Sequence, residues 1–155
     1  MKCKTITLLV VLLLSMVAVG TTGDGEDTQK IQGIWLNEDG RAKIEIFDCS
    51  GNICGRIVWL KEPNYPPGDK SGMGGKPRVD LENPDPELRR LPLLGLVIMK
   101  GFDRAGGDAW SHGTIYDPVS GDTYRAKITL ESPHRLLIRG YVMIPLFGKT
   151  TVWTR

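Results

Sequence analysis

The stretch that decides the fold runs from residue 110 to residue 142 and reads WSHGTIYDPVSGDTYRAKITLESPHRLLIRGYV. In its middle part every second residue is apolar and the residues between are polar, which is the pattern of a strand with one buried face. The apolar set is Tyr124, Ala126, Ile128 and Leu130. Turn-forming residues, DPVSG at 117–121 and SPH at 132–134, separate this part from its neighbours. The stretch therefore predicts a meander of three antiparallel strands.

Five further strands are predicted on the same grounds. Three precede the meander and begin at Gly33, Ala42 and Gly55, a fourth spans 93–102, and the last spans 149–155. Eight strands joined mostly by short turns favour a closed antiparallel up-and-down β-barrel, because closure leaves no unpaired edge. A two-sheet sandwich is the alternative. At eight strands the interior of a barrel has room for side chains or for one small ligand.

The connection between the third and fourth strands differs from the other turns. Its first part, KEPNYPPGDKSGMGGKPR at 61–78, is rich in Pro and Gly and has no period, as in a lid, a binding loop or a disordered segment. Next comes a predicted short helix, with Asp85 as N-cap, Pro86 as first residue and Pro92 beyond its end. Asp80, Asn83 and Arg89 lie close by; they either bind a polar group or do acid–base chemistry at the barrel mouth, or else only shape the turn.

The amino terminus has the parts of a secretory signal peptide, namely two lysines, an apolar run at 6–19 and a small-residue cleavage site ending at Gly20. The apolar run is shorter than the roughly 20 residues that a spanning helix needs, so no transmembrane anchor is expected in the mature chain. The predicted organisation is a signal peptide at 1–20, a flexible leader at 21–30 and one barrel domain at 31–155. We therefore expect a periplasmic or secreted protein.

Cys49 and Cys54 are the cysteines left after such cleavage, and an exported chain with this spacing in a hairpin predicts a disulfide. Removing residues 1–20 takes two lysines from the 20 basic side chains and leaves the 18 acidic ones, so 18 of each remain. This balance, without a basic face, argues against a nucleic-acid partner and against an anionic-membrane partner.

The sequence gives little support for an enzyme. It contains no G-x-S-x-G and no H-E-x-x-H motif, and its two histidines are few for a metal site. Ser111 and His112 are neighbours, but strand alternation predicts that they point to opposite faces. We predict no catalytic residue, no metal and no cofactor.

Candidate ligand-binding residues are aromatic or polar residues within the predicted strands or the long connection. Tryptophans on strands either line a cavity or fill the core, and alternation places Trp59 on the same face as Ile57. A guanidinium such as that of Arg139 either binds a carboxylate, stacks on a tryptophan or faces solvent. The candidate set is Trp35, Trp59, Asp80, Asn83, Arg89, Trp110, Tyr116, Tyr124 and Arg139.

Several segments together resemble one bacterial family: GIW (33–35), CGRIVWL (54–60), DLENPDPELRRLPLLGL (80–96), GTIYDPVSGDTY (113–124), and LLIRGY followed by PLFGKTTVWTR at the end. The chain is similar to the exported family called domain of unknown function 2147, which implies a small lipocalin-like barrel and no assigned activity. In lipocalins a Gly-x-Trp, here Gly33 and Trp35, opens the first strand. The resemblance implies that Arg139 or Arg155 packs on this Trp, and the lipocalin carboxy-terminal helix has no counterpart after Trp153.

Three functions are compatible with these patterns. The leading hypothesis is a non-enzymatic barrel that holds a small, largely apolar or amphipathic molecule. The second is an envelope or stress interaction module with a filled barrel, which contacts its partner through 61–92. The third is an enzyme that uses Asp80, Asn83 and Arg89 on an envelope component.

Overall fold

The structure is a computed structural model that describes residues 29–155. The predicted signal peptide (1–20) and most of the predicted leader (21–30) lie outside these residues. Residues 29–31 are helical and lead directly into the first strand. Within residues 29–155, no helix is both long and apolar enough to cross a membrane.

Eight antiparallel strands, each paired with its neighbours in sequence, close into one barrel. The strands are β1 (Gly33–Leu36), β2 (Ala42–Cys49), β3 (Asn52–Leu60), β4 (Val97–Gly106), β5 (Ala109–Asp117), β6 (Asp122–Ser132), β7 (Arg135–Tyr141) and β8 (Gly148–Thr154). The predicted up-and-down barrel is thus confirmed, and the sandwich is excluded. Successive turns alternate between the two ends of such a barrel, so the turns after β1, β3, β5 and β7 share one end.

The barrel closes through a narrow contact between β8 and β1, in which Leu36 pairs with Thr154. The side chain of Arg155 strengthens this seam. Its guanidinium carbon lies 4.2 Å from the centroid of the Trp35 ring. It also donates hydrogen bonds to the backbone carbonyls of residues 30, 32 and 133. One side chain therefore ties the last strand to the first strand and to the chain that precedes it.

The core fills the end of the barrel at which β2–β3, β4–β5 and β6–β7 are joined. The alternation predicted for β6 is confirmed, because Ala126 and Ile128 are buried while the residues on either side of them are exposed. Large buried side chains of the strands meet at this closed end, and they are Trp35, Ile46, Ile53, Met99, Phe102, Trp110, Ile128 and Leu136. The disulfide between Cys49 and Cys54, with Cα atoms 5.8 Å apart, joins β2 to β3 there and confirms the predicted pair.

Trp59 departs from the predicted alternation because β2 and β3 are joined through a β-bulge. Ile44 pairs with Ile57, whereas Lys43 pairs with Trp59, so Val58 is an extra residue in β3. The bulge turns Trp59 to the outer surface, where it is 40% exposed and the Lys43 ammonium lies 5.4 Å from its ring centroid. The prediction that Trp59 shares a face with Ile57 is wrong.

The fourth strand begins and ends later than predicted. Gly95 has a left-handed φ of +88°, which suits glycine, and its N–H donates to the Ile57 carbonyl at 2.8 Å. The chain turns at this glycine, so β4 begins at Val97 rather than at residue 93. It continues to Gly106, four residues beyond the predicted end at residue 102.

The predicted short helix is a three-residue 3-10 helix, Leu88–Arg90. It starts later than the sequence predicts. Asp85 still stabilises the preceding turn, because its carboxylate accepts the N–H of Glu87 at 3.0 Å. The segment from 61 to 96 otherwise lacks regular structure, apart from two isolated bridges.

Candidate functional site

A cavity of about 970 Å³ occupies the end of the barrel opposite the core. This open end is formed by the turns after β1, β5 and β7, all of which contribute to its lining. The inner wall is apolar and comes from strand residues of both halves of the chain: Ala42, Ile44, Ile57, Leu60, Ile98, Ile115 and Trp153. The volume falls within the range usual for small-molecule sites.

Two glycines show that one end is filled and the other is hollow. A Cβ added to Gly113 would overlap the ring of Phe102, so the closed end has no spare volume at this position. A Cβ added to Gly140, which pairs with Ala126, would lie 3.7 Å from the Cβ of Tyr124, an ordinary contact. Gly140 lines the cavity, and its missing side chain leaves part of that space free.

The rim of the cavity is polar, in contrast to its wall. Lys149 pairs with Gly140, which places it at a cavity-facing position of β8, and Arg41 lies at the β1–β2 turn. Tyr124 also lines the rim, and its hydroxyl lies 3.2 Å from a carboxylate oxygen of Asp122. The remaining charged residues of the lining are Glu38, Asp39 and Asp117. An apolar wall with a charged rim suits a molecule that has an apolar body and a polar end.

The four tryptophans occupy three different environments. Trp35 and Trp110 are buried in the closed end and do not line the cavity. Trp35 donates its indole N–H to the Ile31 carbonyl at 2.8 Å. Trp153 lines the cavity, and Trp59 lies on the outer surface. Among the predicted ligand-binding tryptophans, therefore, none borders the cavity.

Asp80 and Asn83 come together as the sequence suggested, but they do not line the cavity. Asp80 is fully buried, and one of its carboxylate oxygens accepts the Tyr116 hydroxyl at 2.7 Å. The other oxygen accepts the Asn83 side-chain N–H at 2.7 Å. Arg89 donates to the Asn83 backbone carbonyl, also at 2.7 Å. Both carboxylate oxygens of Asp80 are thus hydrogen-bonded within the protein.

Tyr116, one of the predicted ligand-binding residues, borders the cavity and links this cluster to the barrel. Burial raises the pKa of its hydroxyl, and the hydrogen bond to Asp80 and nearby carboxylates raise that pKa further. Tyr116 therefore remains a neutral donor, and it fastens the segment around Asp80 to β5. The same segment packs closely on the β5–β6 turn, because a Cβ at Gly121, whose φ is +76°, would overlap the Glu82 carbonyl.

Arg139 lies on the outer side of β7 rather than in the cavity lining. Its guanidinium donates to the carbonyls of Pro145 at 2.7 Å and Leu146 at 3.2 Å, and to the Thr150 hydroxyl at 3.0 Å. It holds the β7–β8 loop in place. Of the two basic residues that the lipocalin resemblance offered, Arg155 is the one that packs on Trp35.

Ser111 and His112 lie on the same side of the chain, contrary to the prediction. A bulge between Trp110 and Gly113 gives His112 a φ of +63°, and Ser111 Oγ lies 3.2 Å from His112 Nδ1. An Asp103 carboxylate oxygen is 3.7 Å from the same nitrogen. A relay requires the acid and the hydroxyl on different ring nitrogens, so this group is not a catalytic triad. In the part of the chain that the structure describes, no group of three His, Cys, Asp or Glu side chains is placed to hold a metal ion.

Sequence reasoning missed most of the cavity. Ile115 and Lys149 line the cavity because of their register with the neighbouring strands. Ala42 and Leu60 line it because they lie next to the turns at the open end. Alternation within each strand was the available signal for the inward face. Which inward residues border free space depends on how far the core extends along the barrel.

Comparisons with known proteins agree with this fold. A comparison with curated proteins gives no match. Among solved structures, the chain is similar to protein HP1028 from the human pathogen Helicobacter pylori, which is described as belonging to the lipocalin family; the TM-score is 0.66, the sequence identity is 22%, and the match covers 80% of this chain and 81% of that chain. This likeness shows a lipocalin-like fold. The family described as "uncharacterized protein conserved in bacteria" (DUF2147) matches residues 33–155, and the chain belongs to that family.

Proposed function

We propose that this protein is an exported, non-enzymatic barrel that holds a small, largely apolar or amphipathic molecule in its open end. The observation that supports the proposal is the cavity of about 970 Å³ with its apolar strand wall. Burying the apolar body of a ligand against this wall would supply the main favourable term in binding. The fold of HP1028, a lipocalin-family protein, is compatible with such a role.

The rim indicates which end of the ligand faces solvent. Lys149 and Arg41 lie beside the mouth together with three carboxylates, so a polar or charged head group would remain there in contact with water. Such a group would lose little hydration, whereas an apolar tail would be removed from water. We therefore expect a ligand with one polar end rather than a uniformly polar metabolite.

Export is supported by two features of the chain. The first 20 residues have the pattern of a cleaved signal peptide. The disulfide between Cys49 and Cys54 belongs to an oxidising compartment. The periplasm or the medium is therefore the proposed location.

The other two hypotheses have less support. A completely filled barrel does not agree with the free space beside Gly140. An enzyme built on Asp80, Asn83 and Arg89 would need polar groups that face a substrate, but the side-chain hydrogen bonds of these residues join them to one another, to Tyr116 and to the Asp85 backbone N–H.

Native mass spectrometry of the processed protein from its source, together with titration by the apolar fluorescent probe N-phenyl-1-naphthylamine, tests the proposal. We expect a co-purified molecule, or one bound probe for each barrel. Gly140→Met places a side chain in the cavity and should weaken probe binding at least tenfold. Gly68→Met is the matched control, because Gly68 has no atom within 4 Å of an added Cβ and lies outside the cavity.

Two results would overturn the proposal. One is a protein that carries no molecule and binds no probe at a one-to-one ratio. The other is equal probe binding by wild type and Gly140→Met, since the probe would then lie elsewhere on the surface. Thermal unfolding of both variants without probe should be measured as well, so that loss of binding is not confused with loss of folding.

A further inference from the structure

The loop between β7 and β8, residues 142–147, is a contiguous apolar surface at the mouth of the cavity. Its sequence is VMIPLF. Met143 is 82% exposed, Leu146 76% and Phe147 71%. Contiguous exposed apolar groups of this kind mark sites of interaction with a partner or a membrane. Nothing in residues 29–155 covers these side chains.

The loop is held in its protruding shape by backbone contacts. The guanidinium of Arg139 donates to the carbonyls of Pro145 and Leu146 from behind the loop. The Phe147 N–H donates to the Ile144 carbonyl at 3.1 Å. These backbone groups are thereby satisfied internally, and the apolar side chains of the loop remain exposed. The loop is thus a preformed, exposed apolar tip.

Three cations lie on the barrel wall directly behind this tip. Lys127 stands opposite Arg139 in the β6–β7 ladder, and Arg125 stands opposite Tyr141 at the end of the same ladder. Like charges directly opposite one another are unfavourable in a sheet. Between residues 29 and 155, no carboxylate forms an ion pair with Arg125 or Lys127. The uncompensated charge favours an anionic partner.

Although the overall charge balance argues against an anionic membrane, we propose that the β6–β7 side of the open end docks on an anionic phospholipid membrane, with the 142–147 tip inserted between the head groups. The apolar side chains would then reach the acyl boundary, while Arg125, Lys127 and Arg139 would lie at the level of the lipid phosphates. Apolar insertion and attraction to anionic lipid are the two contributions that bind peripheral proteins to bilayers. Docking goes beyond the proposed ligand binding and does not require a loaded cavity.

A membrane fits this surface better than a second copy of the chain. A stable protein interface buries about 800 Å² on each partner and involves about 20–30 residues a side, whereas the tip has six residues. A bilayer needs no complementary groove. Val142 and Phe147 also line the cavity, so docking would bring the cavity mouth against the lipid.

Co-sedimentation of the purified processed protein with vesicles tests the proposal. The vesicles are 30% phosphatidylglycerol in phosphatidylcholine, compared with pure phosphatidylcholine. We expect wild type to bind the anionic vesicles, and Leu146→Ser/Phe147→Ser to bind them at least tenfold more weakly. Ile144→Ser should also weaken binding, whereas Ile34→Ser should not, since Ile34 is similarly exposed but lies on the wall of β1.

The charge contribution has its own pair of variants. Arg125→Gln/Lys127→Gln should lower binding to the anionic vesicles several-fold and leave pure phosphatidylcholine unaffected. Lys70→Gln/Lys76→Gln removes the same charge from the long connection and should bind as wild type does. Wild-type protein that stays in the supernatant, or Ile34→Ser and Ile144→Ser that lose binding equally, would overturn the proposal. So would light scattering that shows a dimer which Leu146→Ser/Phe147→Ser dissociates, because the tip would then be a protein interface.

Discussion

Replacing Tyr116 by Phe should destabilise the barrel by about 2–3 kcal/mol. The hydroxyl of Tyr116 is 2.7 Å from a carboxylate oxygen of Asp80, and Asp80 is fully buried. A hydrogen bond to a charged group contributes about 1.5–3 kcal/mol, and a buried carboxylate that loses a donor incurs a desolvation cost. For a domain of this size the loss corresponds to a decrease in Tm of roughly 6–12 °C. Urea unfolding followed by tryptophan fluorescence measures it.

Tyr124→Phe is the matched control. The Tyr124 hydroxyl is 3.2 Å from the Asp122 carboxylate in an exposed position, so its removal should change the free energy of unfolding by less than about 0.5 kcal/mol. The reasoning would be refuted if the two variants lost the same stability, or if Tyr116→Phe changed the urea midpoint by less than the experimental error. Unchanged m-values in both variants would show that only stability has changed.

The stability difference between wild type and Tyr116→Phe should depend on pH with a defined sign. The pKa of Tyr116 is raised in the folded barrel, whereas in the unfolded chain a tyrosine ionises near pH 10. The stabilisation from Tyr116 is therefore complete below pH 10 and is lost as the pH rises above it. The stability difference between wild type and Tyr116→Phe should shrink by about 1.4 kcal/mol for each pH unit above 10. A difference that stays constant to pH 11.5 would contradict this assignment.

Three further perturbations have expected outcomes that thermal and urea unfolding can check. Gly113→Ala should destabilise the barrel by about 1–3 kcal/mol because its Cβ overlaps a core ring, whereas Gly140→Ala should stay within about 0.5 kcal/mol of wild type. Arg155→Met should lower the free energy of unfolding by about 1–3 kcal/mol, because the seam contacts are lost. Arg155→Lys should recover less than half of that stability. Replacing Cys49 and Cys54 by Ser should cost about 2 kcal/mol, as expected for closure of so short a loop.

Each of these predictions has an outcome that contradicts it. Equal stability of the two alanine variants would mean that the closed end is not tightly packed. An Arg155→Met variant as stable as wild type would show that the seam does not depend on this side chain. A reductant that lowers the stability of the Ser/Ser variant as much as that of wild type would show that the measured loss has another origin.

The alternation of polar and apolar residues predicted the inward-facing residues correctly in strands that have one buried face and one solvent-exposed face. β6 has one wet face and one buried face, so its polar and apolar residues identify the inward side without any knowledge of its neighbours. The same reasoning failed for Trp59, because an extra residue in β3 reverses the faces beyond the bulge. A bulge is a property of the pairing between two strands, and neither strand shows it alone.

The candidate site was harder to derive, because its residues meet only in three dimensions. The hydrogen bond between Tyr116 and Asp80 spans 36 positions in the sequence. Polar residues close together in sequence, such as Asp80 and Asn83, drew attention as a ligand site but form an internal tether instead. The cavity itself depends on where side-chain volume is missing, as at Gly140.

The sequence by itself determined that this chain is an eight-stranded barrel with a disulfide between Cys49 and Cys54, because two-residue periodicity and turn chemistry are local properties. Only the tertiary structure decided that the barrel is filled at one end and hollow at the other. Packing depends on which side chains of all eight strands meet at the same height along the barrel, and that depends on register, closure and bulges together.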